Sequence, residues 1–189
     1  MAFTRHKAQG PRSQAEQRRV VVPCLVLCAL CLVPCALPAQ DVPLEYRVKA
    51  AYLFNFAKFV EWPDAASAGP ITLCVAGHNV FGEVLTETIR GEAINGRSLV
   101  AHVALAPERG CHVLFVPRGA AVANYLKAVR GAPVLTVGES DDFVAAGGIV
   151  RFVLDGVNVR FEIDAAKAEA AGLRISSRLL RLARPAGGV

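Results

Sequence analysis

The sequence predicts an α/β fold: a single-domain sandwich in which a mixed, largely parallel sheet is flanked by helices and carries a late β-hairpin. Three observations predict it. Apolar, partly β-branched runs at residues 71–76, 111–116 and 134–137 are bounded by Gly or Pro, as buried strands are. Segments of helical period alternate with those runs, the order that builds parallel strand–helix–strand units. Late in the chain, Asp155-Gly156 sits between two β-rich runs, the local signature of a tight antiparallel turn.

The elements follow in order. Residues 44–60 place Leu44, Val48, Ala51, Tyr52, Asn55, Phe56, Phe59 and Val60 at helical spacing, and Pro63 stops the pattern just past Trp62. An amphipathic helix with an aromatic face is expected there. After Gly69 and Pro70, residues 71–76 read as a buried strand closed by Gly77. Residues 80–89 set Phe81, Val84, Leu85 and Thr88 along one side of a short helix. In residues 98–105, Leu99, Ala101, Val103 and Leu105 alternate with Val100, His102 and Ala104, the period of a strand. Residues 111–116 form another strand, stopped by Pro117 and Gly119. A helix at 120–129, a short strand at 134–137 and one or two helical turns at 141–146 come next. Gly147 and Gly148 lead into a strand at 149–154, and the hairpin returns through Val157, Val159, Phe161 and Ile163. An alanine-rich helix at 164–171, a break at Gly172 and an apolar, basic segment at 175–183 end the pattern.

The first 39 residues are of a different kind. Arg5, Lys7, Arg12, Arg18 and Arg19 precede an apolar stretch from Val20 to Leu37, and Ala39 supplies a small residue before Gln40. That three-part layout reads as a signal peptide at residues 1–39, with one domain at residues 40–189 in a periplasmic, disulfide-permissive compartment. An uncleaved anchor is the competing reading, but Pro23 and Pro34 interrupt the stretch. A lipoprotein reading fits poorly, because Leu27, Leu30 and Pro34 stand before Cys28, Cys31 and Cys35 where a small residue is needed.

Removing the leader changes the charge and the cysteine count. The whole chain has 21 Lys and Arg against 16 Asp and Glu; taking away the five leader cations and Glu16 leaves 16 against 15. A net charge near neutral argues against nucleic acid as a partner. Cys24, Cys28, Cys31 and Cys35 lie in the leader, so only Cys74 and Cys111 remain of the six cysteines. They make either one bridge, stabilising by ~4 kcal/mol on the loop-entropy account, or two buried free thiols.

Reactive groups are sparse. The run Gly77-His78-Asn79-Val80-Phe81-Gly82 has the outline of a phosphate loop, yet Glu83 follows instead of Lys, so it reads as a turn into a helix. His78, His102 and His112 form no short-range zinc pattern, and Cys111 and His112 alternate across a strand. Ser140, Ser176 and Ser177 lack a nucleophile-elbow context, and Ser176-Ser177 suits a capped helix start. Asp141 and Asp142 suit a helix N-terminus. No catalytic residue, metal or cofactor is expected. Of the aromatic set Tyr52, Phe54, Phe56, Phe59 and Trp62, some must fall off the buried face of one helix. Tyr52, Phe54 and Trp62 are therefore the candidate surface for a partner or an apolar ligand.

These residues carry a resemblance. The block Ala50-Ala51-Tyr52-Leu53-Phe54-Asn55-Phe56-Ala57-Lys58-Phe59-Val60-Glu61-Trp62-Pro63, followed by Leu73-Cys74-Val75-Ala76-Gly77, resembles the YfiR family of periplasmic proteins. Cys111-His112-Val113-Leu114-Phe115-Val116, Val134-Leu135-Thr136-Val137, Gly147-Gly148-Ile149-Val150, Val159-Arg160-Phe161-Glu162-Ile163-Asp164 and Gly172-Leu173-Arg174-Ile175-Ser176-Ser177-Arg178 continue it in order. The resemblance spans residues 46–183.

The resemblance implies a regulator without catalytic activity. Such a protein binds the periplasmic sensor domain of an inner-membrane diguanylate cyclase and represses cyclic-di-GMP signalling and biofilm formation. It also implies an outer-membrane lipoprotein that sequesters the regulator, a homodimer, and a Cys74–Cys111 disulfide. A second family bridge would fall around residues 147–154, where this chain has no cysteine. The alternative from another class is a periplasmic small-molecule binding protein with no obligate cyclase partner, which needs a cleft with convergent polar groups.

Overall fold

The computed structural model describes residues 42–63, 66 and 68–184. The expected signal peptide and its four cysteines lie outside the described residues.

Helix α1 (Leu44–Phe59) runs directly into the two-residue strand β1 (Val60–Glu61). Then come β2 (Ile71–Ala76), α2 (Val84–Ile89), β3 (Ala93–Ile94), β4 (Arg97–Ala104), β5 (Val113–Val116), α3 (Val122–Val129) and β6 (Leu135–Gly138). The hairpin β7 (Val150–Asp155) and β8 (Asn158–Ile163) precedes α4 (Ala165–Ala170), β9 (Arg174–Ile175) and α5 (Ser177–Leu182). Seven strands form one sheet in the order β3-β4-β2-β5-β6-β7-β8, and β1 pairs with β9 in a separate antiparallel ribbon. β4, β2, β5, β6 and β7 are parallel, whereas β3 and β8 close the two edges in antiparallel fashion. The five parallel strands, counted along the chain, lie in the order 2-1-3-4-5 of a doubly wound sheet.

The central strands are buried on both faces, which is why they read as continuous apolar runs. Their alternation sorts side chains into two cores. Ile71, Leu73, Val75, Val113, Phe115, Leu135 and Val137 face α1 and α2 and join Leu53, Phe56, Phe81 and Leu85. Cys74, Ala76, Leu114 and Val116 face the other way, towards α3 with Tyr125, Leu126 and Val129. Phe56, fully buried on the first side, meets Tyr52, Phe152 and Phe161 with ring centroids 5.1–5.9 Å apart. Burying one such ring is worth roughly 1.5–3 kcal/mol.

The second core has a thinner cover. No helix is assigned between β4 and β5; residues 105–112 form a loop instead. A disulfide between Cys74 and Cys111 fills that position, with Cα atoms 5.8 Å apart. Phe143 closes the far end, fully buried between Gly138 and Gly148.

Several expectations are corrected. α1 buries Lys49, Ala50, Leu53, Phe56 and Ala57, while Leu44, Val48, Ala51 and Asn55 face solvent. The helix is apolar on every side, so spacing alone does not select the buried stripe, and Lys49 enters the core because acidic partners await it. Val60 belongs to β1 rather than to the helix. Residues 80–83 are a turn: the Asn79 carboxamide accepts the Phe81 N–H at 3.0 Å and Gly82 takes φ +53°, which delays α2 to Val84. Cys111 and His112 precede β5. Residues 141–146 are turns and no helix, because the chain must bring Phe143 inward and reverse at Gly147. The hairpin pivots one residue late, with Asp155 paired to Asn158 and Gly156-Val157 forming the turn. Residues 174–175 are β9, and the last helix starts only after Ser176, whose hydroxyl accepts the Leu179 N–H at 3.3 Å.

The Phe143 plug gives a stability test. A Cβ at residue 138 would lie 2.2 Å from the Phe143 ring, so Gly138→Ala overpacks the core and should cost ~1–3 kcal/mol in urea unfolding at unchanged m-value. Gly110→Ala, with nothing within 4 Å of the added Cβ, should stay within about 0.5 kcal/mol of wild type.

Candidate functional site

Doubly wound sheets bind ligands beyond the carboxyl ends of their strands, where the strand order reverses. Here that place lies between β2 and β5, and the chain fills it itself. Phe81, just after β2, packs edge-on against Phe115 of β5 at 5.0 Å and against Tyr46 of α1 at 5.6 Å. Lys49 lies 4.7 Å from the Tyr46 ring centroid and forms ion pairs with Glu139 and Glu45. Lys49 and Glu139 are both buried. Glu139, just past β6, also accepts the Arg118 backbone N–H at 2.8 Å. Burial first, then the Glu139 charge, pushes the Tyr46 hydroxyl up to about 12. The turn at residues 77–82 thus holds an aromatic wedge.

A second polar cluster lies at the opposite ends of the strands. Trp62 meets the His112 ring edge-on at 5.6 Å, beside a cavity of about 310 Å³ lined by Trp62, Val60, Ile71, Ile94 and Arg97. His112 Nδ1 accepts the Thr72 N–H at 3.1 Å, which places the proton on Nε2, and Nε2 donates to the Ala66 carbonyl at 2.9 Å. The Arg97 guanidinium, 2.8 Å from Nε2, is then a charged neighbour and not a hydrogen-bond partner. Arg97 itself donates to the carbonyls of Gly69, Ala66, Ala68 and Pro70, gathering these groups just before β2. Burial, with a smaller contribution from Arg97, lowers the His112 pKa below its ordinary 6.5.

The three predicted surface residues are not brought together. Tyr52 packs against Phe56, Phe152 and Phe161, and its hydroxyl reaches the Val159 carbonyl at 3.4 Å. Phe54, two residues on and so about 200° around the helix, lies on the outer flank under Lys58 at 5.1 Å. Trp62 stands at the His112 cluster. Tyr52 and Phe54, both half-buried, border the exposed stripe of Val48, Ala51 and Asn55 on its two sides.

Lys49, Arg97, Glu108 and Glu139 were not singled out by sequence reasoning. Each also acts with a partner 15 to 90 positions away, which no local pattern reveals. A groove of about 400 Å³ lies between α3 and α4 and has a largely apolar lining of Leu126, Val129, Val134 and Ile149. Of its polar side chains, Lys167 is paired with Asp164 at 2.6 Å and Thr136 accepts the Ile149 N–H at 3.0 Å. No helix among the described residues is long and apolar enough to cross a membrane.

Fold and site together define a disulfide-stapled α/β domain of doubly wound order whose ligand crevice is plugged by its own side chains. The chain belongs to the YfiR/HmsC-like family, DUF4154, whose family model matches residues 46–184. Among solved structures it is similar in fold to a conserved domain protein from Vibrio cholerae O1 biovar El Tor. That similarity has a TM-score of 0.51 at 14% identity and covers 78% of this chain. The chain spans 61% of the length of that structure.

Two outcomes are expected. Lys49→Ala leaves the Glu139 carboxylate buried without its main cation and should cost on the order of 3–5 kcal/mol by urea unfolding, whereas the neutral pair K49M/E139Q should recover part of that loss. For His112, the unfolded chain takes up a proton near pH 6.5 and the folded chain only at lower pH. Its stabilisation is therefore present above 6.5 and lost as pH falls below it. The urea midpoint should drop with acidification in that window, and His112→Gln should flatten the drop. Asp164, held below its ordinary 3.8 first by its hydrogen bonds to Lys167, acts only in a more acidic window.

Proposed function

We propose that this protein is a periplasmic negative regulator that binds the sensor domain of an inner-membrane diguanylate cyclase and lowers cyclic-di-GMP signalling. Family membership over residues 46–184 is the observation that carries the reading. In this reading residues 1–39 are a signal peptide and residues 40–189 act in the periplasm. The protein is a homodimer there, and an outer-membrane lipoprotein withdraws it from the cyclase.

The mechanism is linkage, with no chemical step and no catalytic residue. A protein that binds the inactive sensor more tightly than the active one shifts the sensor by the difference, about 1.4 kcal/mol for each tenfold ratio of affinities. A rigid body with an exposed face suits that task. The outer stripe of α1, Val48 and Ala51 bordered by Phe54, is the face we assign to the partner, because α1 is fixed from behind by Lys49 and Phe56. The filled strand-end crevice favours this reading over a small-molecule binding protein.

The test is affinity capture on detergent-solubilised membranes of the host, with mass spectrometry of what is retained. A diguanylate cyclase with a periplasmic sensor domain should be recovered, and Val48→Asp, on the exposed stripe, should abolish capture with the thermal midpoint little changed. Deleting the gene should raise cyclic-di-GMP and biofilm. Unchanged nucleotide levels in a strain that has the cyclase, or capture of a different membrane sensor only, would overturn the proposal.

A further inference from the structure

The face left thin between β4 and β5 brings four metal-binding side chains to one point. Cys74 and His102 are register partners on neighbouring parallel strands, so both side chains project from the same side of the sheet. The loop after β4 returns Glu108 over them and delivers Cys111. Cys74 Sγ lies 3.7 Å from His102 Nε2 and 3.4 Å from Glu108 Oε1, and Cys111 Sγ lies 3.5 Å from the same oxygen. His102 Nε2 and Glu108 Oε1 are 2.5 Å apart. The donor atoms of Cys74, His102 and Glu108 all fall within 4.8 Å of one another. In a tetrahedral zinc site with metal–ligand bonds of 2.0–2.3 Å, the ligand atoms stand roughly 3.3–3.8 Å apart. Three of the separations already have that value.

We propose that Cys74, Cys111, His102 and Glu108 form a binding site for a thiolate-seeking divalent cation, zinc by preference, that is open only when the disulfide is reduced. In the oxidised protein each sulfur is bonded to the other and neither can act as a thiolate ligand. His102 and Glu108 alone offer two donors, too few for a closed site. Reduction lets the sulfurs part to ligand distance, and the pair His102–Glu108 opens to admit the ion. Donor type and access both suit the ion. The two soft sulfurs are buried, while His102 and Glu108 keep 46% and 40% of their side chains exposed and mark the entry path.

The chemistry balances with a dithiol as reductant. One of its thiolates attacks a protein sulfur, forming a mixed disulfide and releasing the other cysteine. Its second thiol then closes the reductant's own disulfide and releases the first cysteine. Two electrons and two protons pass to the protein sulfurs. The cation displaces both protons and forms two metal–thiolate bonds.

The experiment uses the full chain with Cys24, Cys28, Cys31 and Cys35 replaced by serine, so that Cys74 and Cys111 are its only thiols; it is oxidised or reduced with a water-soluble phosphine, which consumes one water and leaves as phosphine oxide. It is titrated with cobalt(II) and then zinc(II) alone. The reduced chain should take up one cobalt ion with a sulfur-to-cobalt charge-transfer band and the intense d–d bands of tetrahedral coordination. Zinc should displace that ion and raise the thermal midpoint, whereas the oxidised chain should show neither band. H102A/E108A, which retains the disulfide, should weaken zinc binding to the reduced chain at least about tenfold. Absence of the charge-transfer band on reduction would overturn the proposal, as would equal zinc affinity in H102A/E108A. So would a reduced chain whose far-ultraviolet dichroism is lost and is not restored by zinc, because metal would then meet only unfolded thiols.

Discussion

A parallel sheet buried on both faces must be covered twice, and the rest of this structure follows from how unequally the two covers are supplied. On one face α1 and α2 bring a full set of aromatic and aliphatic side chains. On the other, α3 stands with only Tyr125, Leu126 and Val129 turned inward. The chain makes up the shortfall with devices that are compact for the area they close. A disulfide takes the position of a crossover helix, a single phenylalanine fills the gap between two glycines, and the Tyr125 hydroxyl bonds the last carbonyl of β4 at 2.9 Å.

Buried polar groups set the placement of α1. Lys49 could not enter the interior without a counter-charge, and Glu139 can supply one only if α1 crosses the strand ends at this angle. The same contact fills the crevice in which doubly wound proteins hold cofactors. Packing closes one option at that point, because the place where doubly wound proteins hold a small molecule is used here to orient the helix. His112 and Arg97 perform the matching service at the other end, where Arg97 gathers loop carbonyls and His112 spans β2 and the loop before it through Thr72 and Ala66.

Much of the fold was legible because its signals are local. The central strands read as apolar runs, the hairpin announced itself at Asp155-Gly156, and Ser176 was correctly a cap. Elements without a period were not legible. Val60-Glu61 and Arg174-Ile175 are two-residue strands that exist only because each finds the other; Val60 was absorbed into the helix before it and Ile175 into the apolar segment after it, while Glu61 and Arg174 were given to no element. The buried side of α1 was misjudged because the deciding residue is a lysine whose partner is 90 positions away. The same limit explains the cluster around the disulfide: His102 was visible as a strand residue, but its alignment with Cys74 is a property of the sheet register. Glu108, in a loop, carried no signal at all.

The covalent cross-link bears on survival among proteases. Cys74 and Cys111 are 37 positions apart, so the bond encloses α2, β3, β4 and the loop in which Leu105 is 83% exposed. A cut in that loop opens a ring instead of severing a chain. Both fragments stay joined through sulfur and through the pairing of β2 with β5, so this exposed loop can be nicked while the molecule remains one piece.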